Sequence, residues 1–445
     1  MPPTLRLKEL DLYLRPVRTR LPFRYGKANV TGLPYLHLRA RFEPAVVGLS
    51  AAALPPLWFD KASPSHEATI ADLLRSVRVA ADVYRGLPAG SAYALHRDGE
   101  PETRRRLPGF NDLTAGFGVA LLDAAVVDAV CRLADRPFHA ALRDDLLGFG
   151  ALPLPARPLD RIHVRHTVGL ADPISAADVR EPIGDGLPET LEQVVRAHGV
   201  RYFKIKVSGD AAASLDRLRA ITAVLDRLAG DYRVTLDGNE QFPDMRSAAD
   251  FLARASEIRS LWARTLWVEQ PVERGAALSE RVPDVGKPML IDESDGTDAA
   301  VGRALELGYR GISAKTCKGV FRTLHSHRAL QGTAGVLSSE DLMNIPVLPL
   351  QQDLCIASAL GIAHSERNGH HYIRSFEFLS PGEREAVLRE YPSLYRPLPG
   401  GMGTLRIEDG ALDLREVNAF GLGARSEPDW PSLTAAPADG TFCAP

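Results

Sequence analysis

The chain has 445 residues, 45% of them hydrophobic and 24% charged, with a formal net charge of −3. This composition excludes a disordered or fibrous protein, and the length calls for two units, one of barrel size. No Lys/Arg-rich block marks a nucleic-acid or anionic-membrane surface, so the expected partner is a small molecule, with no nucleic acid and no membrane. The first residues lack a signal-peptide apolar stretch and no run of about 18 apolar residues occurs, so a cytoplasmic protein is expected. The cysteines, Cys131, Cys317, Cys355 and Cys443, are scattered without a C-x-x-C pair. Their spacing indicates neither a disulfide framework nor a zinc site.

In chain order, residues 8–16 and 34–43 read as antiparallel strands and residues 66–87 and 114–135 as helices, an α+β unit. A first barrel strand is expected at 161–169. From Leu187 onward, helical periodicity alternates with β-rich runs at 201–207, 232–239, 265–271, 287–294, 309–316, 334–340 and 370–376. Eight strands in a βα rhythm predict parallel pairing in a closed barrel, with the site at the strand C-terminal ends. After Ser380, residues 401–414 resemble a β-hairpin, and this segment is expected to return to the N-terminal unit. The final Ala-, Pro-, Gly- and Ser-rich stretch reads as a loosely held tail.

Only eight of the 53 Lys and Arg residues are lysines, and half of these fall in two motifs. An ammonium can give up its proton where a guanidinium cannot, which makes retained lysines chemically telling. Lys204 and Lys206 in YFKIKV share one face of a strand, and their mutual repulsion is expected to lower a lysine pKa toward a general base. The next three strands end in Asp237, Glu269 and Asp292. Three carboxylates converging on one rim form a hard oxygen site suited to Mg²⁺. Lys315 ends the sixth strand, facing the first lysine pair across that site, with Lys318 in the following loop either catalytic or a carboxylate partner.

The order K-x-K, D-x-N, V-E-Q-P, D-E-S and K-x-x-K on successive strands resembles the enolase superfamily, and within it the muconate-lactonizing subgroup. Residues 18–32 resemble its mobile capping-domain loop and residues 120–142 its last capping-domain helix. The resemblance implies a modified TIM barrel, (β/α)7β-like, with an α+β capping domain. The expected division is 1–155 for the cap, 156–378 for the barrel and 379–445 for a segment returning to the cap. It further implies Asp237, Glu269 and Asp292 as ligands of Mg²⁺, with Mn²⁺ as the alternative. Lys206 would be acid/base on one substrate face, tuned by Lys204, with Lys315 on the other. Asn239 and Glu293 would support the ligands. The activity implied is abstraction of a proton α to a carboxylate, through a metal-stabilised enediolate, by an isomerase or lyase: a racemase or epimerase, a cycloisomerase or a dehydratase. A homo-oligomer is expected.

Some features depart from that pattern. The seventh strand carries no histidine, and Glu340 there is read either as part of the ligand surroundings or as a loop cap. No D-x-D motif occurs at 370–381, which disfavours a dipeptide substrate. Arg24, Tyr25 and Trp58 are candidate substrate contacts, and His163, His166, His370 and His371 are either substrate contacts or packing residues. The alternatives are a Schiff-base lysine aldolase, which needs no carboxylate triad, and a non-catalytic acid-binding relic.

Overall fold

Two long strands, β1 (Arg6–Tyr25) and β2 (Ala28–Glu43), form an antiparallel hairpin whose tip pairs Tyr25 with Ala28. Gly26 takes φ +50° in this two-residue turn, a conformation glycine adopts without a Cβ penalty. The segment resembling a capping loop is this hairpin tip. The computed structural model describes residues 1–374 and 376–437, so Cys443 and the end of the tail lie outside the described residues. Strand β3 (Val46–Ala53) extends the sheet on one side.

Helices α1 (His66–Gly86) and α3 (Asp112–Leu133) pack on this sheet, and α2 (Ala92–Arg105) packs against both helices. Each begins at a side-chain cap, Ser65, Ser91 or Asn111, that accepts a backbone N–H of the first turn. Gly48 lets α3 approach β3, since a Cβ there would lie 1.9 Å from the Ala125 carbonyl oxygen. Among the described residues α3 is long and apolar enough to cross a membrane, but it is buried inside the protein. Its two internal acids have partners: Asp123 accepts from the Tyr84 hydroxyl, and Asp128 pairs with Arg132 and accepts from the Leu49 N–H.

The barrel strands are β4 (Arg161–Val168), β5 (Tyr202–Lys206), β6 (Arg233–Asp237), β7 (Thr265–Glu269), β8 (Met289–Leu290), β9 (Gly311–Ala314), β10 (Val336–Ser339) and β11 (His364–Arg367). They pair in parallel in the order β8-β7-β6-β5-β4-β11-β10-β9, and an Ile291–Ile312 bridge joins β8 to β9 and closes the ring. Intervening helices such as Leu191–His198, Ala211–Leu228 and Met245–Ala255 start at Thr190, Asp210 and Asp244 caps, and present an apolar stripe to the strands. Eight parallel strands form the barrel that the strand rhythm predicts, and with the separate antiparallel sheet they make the modified TIM barrel with a capping domain that the resemblance implies.

Two elements differ from the sequence reading. The eighth strand is His364–Arg367, not 370–376, and Gly369–Tyr372 is a short helix. The apolar, aromatic look of HHYI suggests a strand. The true strand is polar because its side chains enter a buried polar network: Glu366 meets Lys204 and Thr167, Ser365 meets Ser339, and Arg367 meets Asp353. Its sequence, HSER, also lacks D-x-D. Residues 401–414 form only a single antiparallel pair, Glu408 with Ala411, and not the full hairpin that the sequence suggests. After β12 (Tyr395–Leu398), β13 (Met402–Leu405) turns back to pair with it, while β14 (Ala411–Asp413) pairs with the start of β4. The chain then returns to the cap, where β15 (Thr434–Ala435) pairs with Tyr13 and Leu14 of β1.

Candidate active site

The period of two in β5 sends Lys204 and Lys206 into the barrel and Phe203 and Ile205 outward. Asp237 and Glu269 end adjacent strands in register, and Asp292 follows β8 at the same C-terminal rim. The motif residues after these acids shape the rim. Asn239 and Gln270 have φ of +40° and +33°, so the chain bends sharply beyond each acid. The Gln270 side-chain oxygen accepts the N–H groups of Asp292 (2.8 Å) and Ser294 (3.1 Å), which holds the loop after β8. Asn239 donates to Glu293 at 3.1 Å, and its backbone N–H donates to Asp237 at 2.8 Å.

Lysines and carboxylates interleave at the centre. Lys206 Nζ lies 2.6 Å from Asp237, and Lys204 Nζ contacts Asp237 (2.9 Å), Glu269 (2.9 Å), Glu366 (3.2 Å) and Glu340. Lys315 Nζ lies 2.7 Å from Asp292 and 2.9 Å from Glu340. Lys318 is buried and donates to the Asp292 and Ser313 carbonyls at 2.7 Å each, so it is a carboxylate partner that fixes Asp292. Lys204 does not show the lowered pKa expected of a crowded lysine. Burial pushes it down, but Asp237, Glu269, Glu340 and Glu366 outweigh burial and hold it well above the ordinary value. Lys315 is raised in the same way by Asp292 and Glu340. Glu293 goes up to about 8, through burial first and the nearby charges of Asp292, Glu240 and Asp237 second.

Glu340 is no loop cap. It is fully buried and receives Arg165 at 2.9 Å as well as Lys204 and Lys315. Arg165 in turn lies over Trp267 at 5.0 Å, below the site.

Ligand atoms of Glu269, Asp292 and Glu340 lie within 4.8 Å of one another. Asp237 joins this group through Lys204, the lysine it shares with Glu269 and Glu340. Glu269 Oε2 and Asp292 Oδ1 are buried without a hydrogen-bond partner, although each has an ammonium 2.9 Å away. Buried, anionic and all-oxygen, this donor set fits Mg²⁺.

The cap closes the rim. Phe23, Tyr25 and Trp58 enclose a cavity of about 20 Å³ with Lys204, Lys206, Asp292, Lys315 and Glu366, and Lys315 Nζ lies 5.4 Å from the Trp58 ring centre. A second cavity of about 260 Å³ shares Tyr25, Trp58 and Asn239 with the first and adds Lys27, Lys61, Glu273 and Glu293. Arg24 does not reach either. Strand alternation turns it outward, where it donates to Asn29, and brings Phe23 inward. That alternation is the signal by which Phe23 could have been found. Arg274 also went unnoticed. It pairs with Glu240 at 2.9 Å and donates to the Trp58 and Phe59 carbonyls at 3.0 and 2.9 Å, tying the cap loop to the barrel.

None of the four histidines lines either cavity. His163 packs on Tyr202. His166, His370 and His371 gather with His198, at ring separations of 4.9–6.3 Å. Burial lowers the pKa of all four, and the charged groups facing them are Arg20, Arg367 and Arg396. His198 falls to about 4. A folded-state pKa below the unfolded value of about 6.5 means that the unfolded chain takes up the proton first, so this stability is full above pH 6.5 and drains as pH falls. Urea unfolding at stepped pH should show wild type losing about 1.4 kcal/mol per pH unit between pH 6.5 and 4 relative to His198→Gln. A pH-independent difference between the two proteins would contradict this.

No family model matches the chain, and no curated protein matches its sequence. Solved structures match over nearly its whole length. Muconate lactonizing enzyme from Mycobacterium smegmatis, complexed with muconolactone, is 18% identical with a TM-score of 0.66, covering 96% of this chain and 98% of that one. An enolase from Bradyrhizobium, complexed with magnesium and mandelic acid, is 18% identical with a TM-score of 0.65, covering 97% and 98%. A dipeptide epimerase from Enterococcus faecalis V583, complexed with Mg and L-Leu-L-Tyr, is 15% identical with a TM-score of 0.65, covering 94% and 99%. The fold of this chain is the one these enolase-superfamily structures share.

Proposed function

We propose that the chain is an enolase-superfamily enzyme that removes a proton α to the carboxylate of a small acid, in a Mg²⁺-dependent racemisation or epimerisation, cycloisomerisation or β-elimination. Assembly as a homo-oligomer belongs to the same proposal. The observation that carries the reading is that two lysines from opposite sides of the barrel, Lys206 and Lys315, line one small cavity with Asp292 beneath Trp58 and Tyr25.

Asp237, Glu269 and Asp292 would hold the cation. Bound there, it supplies the positive charge that makes an α-proton acidic enough for an amine to remove. The remaining chemistry belongs to the chain. Lys206 has Asp237 as its close carboxylate, so committing Asp237 as a ligand frees Nζ to give up and take up a proton. Lys315 Nζ stands ready on the other side, held by Asp292 and Glu340. Lys318 and Gln270 keep Asp292 in place, and Arg274 holds the Trp58 loop that excludes water. The larger cavity would take the rest of the substrate. The Schiff-base alternative leaves the buried carboxylate group without a task.

The test is a panel of small carboxylic acids incubated in D₂O with Mg²⁺ and followed by NMR. At least one acid should exchange its α-proton, and chelation should stop the exchange. Borohydride trapping of a carbonyl substrate on the enzyme, with no α-exchange from any acid, would replace this reading with the aldolase one.

A further inference from the structure

A second group of metal-ligating side chains lies outside the reaction site, where the cap meets the barrel. His96 comes from α2, Asp298 from the loop after β8, and His325 from the barrel helix Val320–Leu330. One ligand atom from each lies within 4.8 Å of the others. We propose that these three residues bind a Zn²⁺-class transition-metal ion that staples the capping domain to the barrel.

The distances carry the argument. His96 Nε2 and His325 Nε2 approach the same oxygen, Asp298 Oδ2, at 3.4 and 3.8 Å. With metal–ligand bonds of about 2.0–2.1 Å, neighbouring donors in a tetrahedral zinc site stand ~3.4 Å apart. The first pair meets this value and the second needs only a few tenths of an ångström.

The orientation of His96 points the same way. Its other nitrogen, Nδ1, lies 2.7 Å from Asp123, whose second oxygen accepts the Tyr84 hydroxyl at 2.7 Å. A carboxylate behind the imidazole orients the ring and aims Nε2, which lies 3.4 Å from Asp298, at the position the ion would take, the usual support of a metal-binding histidine. Phe321 packs on His96 and Phe149 on His325, so the site has an apolar wall, while the part-exposed Asp298 leaves an entry path. The Tyr93 hydroxyl, 3.3 Å from His325 Nε2, faces the same space. Arg322, 3.8 Å from Asp298, opposes a cation, but its guanidinium is partly spent on the Asp295 carbonyl at 3.0 Å. Two imidazoles and one carboxylate favour zinc, cobalt or nickel over magnesium, so this site and the all-oxygen site sort different metals. Among the described residues, no cysteine belongs to this group.

Asp298 lies six residues beyond Asp292 in one loop, and Arg104 of α2 donates to the Gly296 carbonyl of that loop at 2.5 Å. An ion at Asp298 would therefore stiffen both the cap contact and the segment that carries Asp292.

The test titrates Co²⁺ into chelator-treated protein at pH 8 with Mg²⁺ in excess. One Co²⁺ per chain should bind with the intense visible absorption of a tetrahedral site containing nitrogen, and Zn²⁺ should displace it and raise Tm by a few degrees. Asp298→Asn and His325→Ala should each weaken Co²⁺ binding at least 100-fold and remove the Zn²⁺ effect on Tm. His325 is part-exposed on a helix, and its replacement leaves the His96–Asp123 pair whole, so this variant should fold. Absence of the absorption in wild type, the weak absorption of an all-oxygen site, or wild-type affinity in His325→Ala would overturn the proposal. Asp123, His96 and Asp298 would then be an ion-paired Asp–His–Asp strut.

Discussion

Asp237→Asn should abolish Mg²⁺ binding in calorimetry, weakening it more than about 100-fold, and remove α-proton exchange, while Tm changes little. The amide is nearly isosteric with the carboxylate. Lys204 keeps Glu269, Glu340 and Glu366, and Lys206, which loses its closest carboxylate, is buried but borders the cavity. Glu340→Gln should behave in the opposite way. Arg165, Lys204 and Lys315 all converge on that one carboxylate. Neutralising it leaves buried cations undercompensated and should cost about 3–5 kcal/mol of stability, whereas Mg²⁺ still binds. The proximity of Glu340 to Glu269 and Asp292 makes this comparison decisive. If Glu340→Gln loses the ion and Asp237→Asn keeps it, the third ligand comes from the seventh strand and the ligand assignment implied by the resemblance is wrong.

The chemistry legible in the sequence is that carried by strand ends. Lys204 and Lys206 face one way because residues two apart in a strand must, and a parallel barrel brings successive strand termini to one rim. Lys206, Asp237, Glu269, Asp292 and Lys315 are readable from those two rules. The eighth strand was hidden because hydrophobic pattern marks strands with apolar inner faces, and β11 turns Ser365, Glu366 and Arg367 into polar contacts. The role of Glu340 was hidden for a related reason. A lone acid after a strand reads as a cap, and its partners Arg165, Lys204 and Lys315 lie 25 to 175 residues away in sequence. The histidine cluster and the ties from Arg274 to the Trp58 loop likewise join segments that no local pattern connects. Arg24 is a different case, since counting outward from Tyr25 along β1 would have excluded it and found Phe23.

Lys206→Ala and Lys315→Ala should each remove α-proton exchange from one face of an accepted substrate, by at least about 10³-fold, while leaving Mg²⁺ binding in place. The two ammonium groups stand on β5 and just beyond β9, and both border the cavity under Trp58, so a planar enediolate between them presents one face to each. The measurement is NMR of solvent deuterium entering each enantiomer or epimer in each variant. Face-specific loss means that each lysine serves one face, and the reaction is then racemisation or epimerisation. Loss of all exchange in Lys206→Ala, with exchange retained in Lys315→Ala, makes Lys206 the sole base and Lys315 a cation that stabilises charge, as elimination or ring opening requires. Unchanged exchange in both variants would remove lysine from the proton transfer altogether. Asp292 and Glu340 also hold the Lys315 pKa above its ordinary value. Lys315→Arg therefore separates the two roles: a fixed guanidinium preserves a cation's contribution and cannot take up a proton. Activity retained in Lys315→Arg but lost in Lys315→Ala would assign the stabilising role, and loss in both would assign the base.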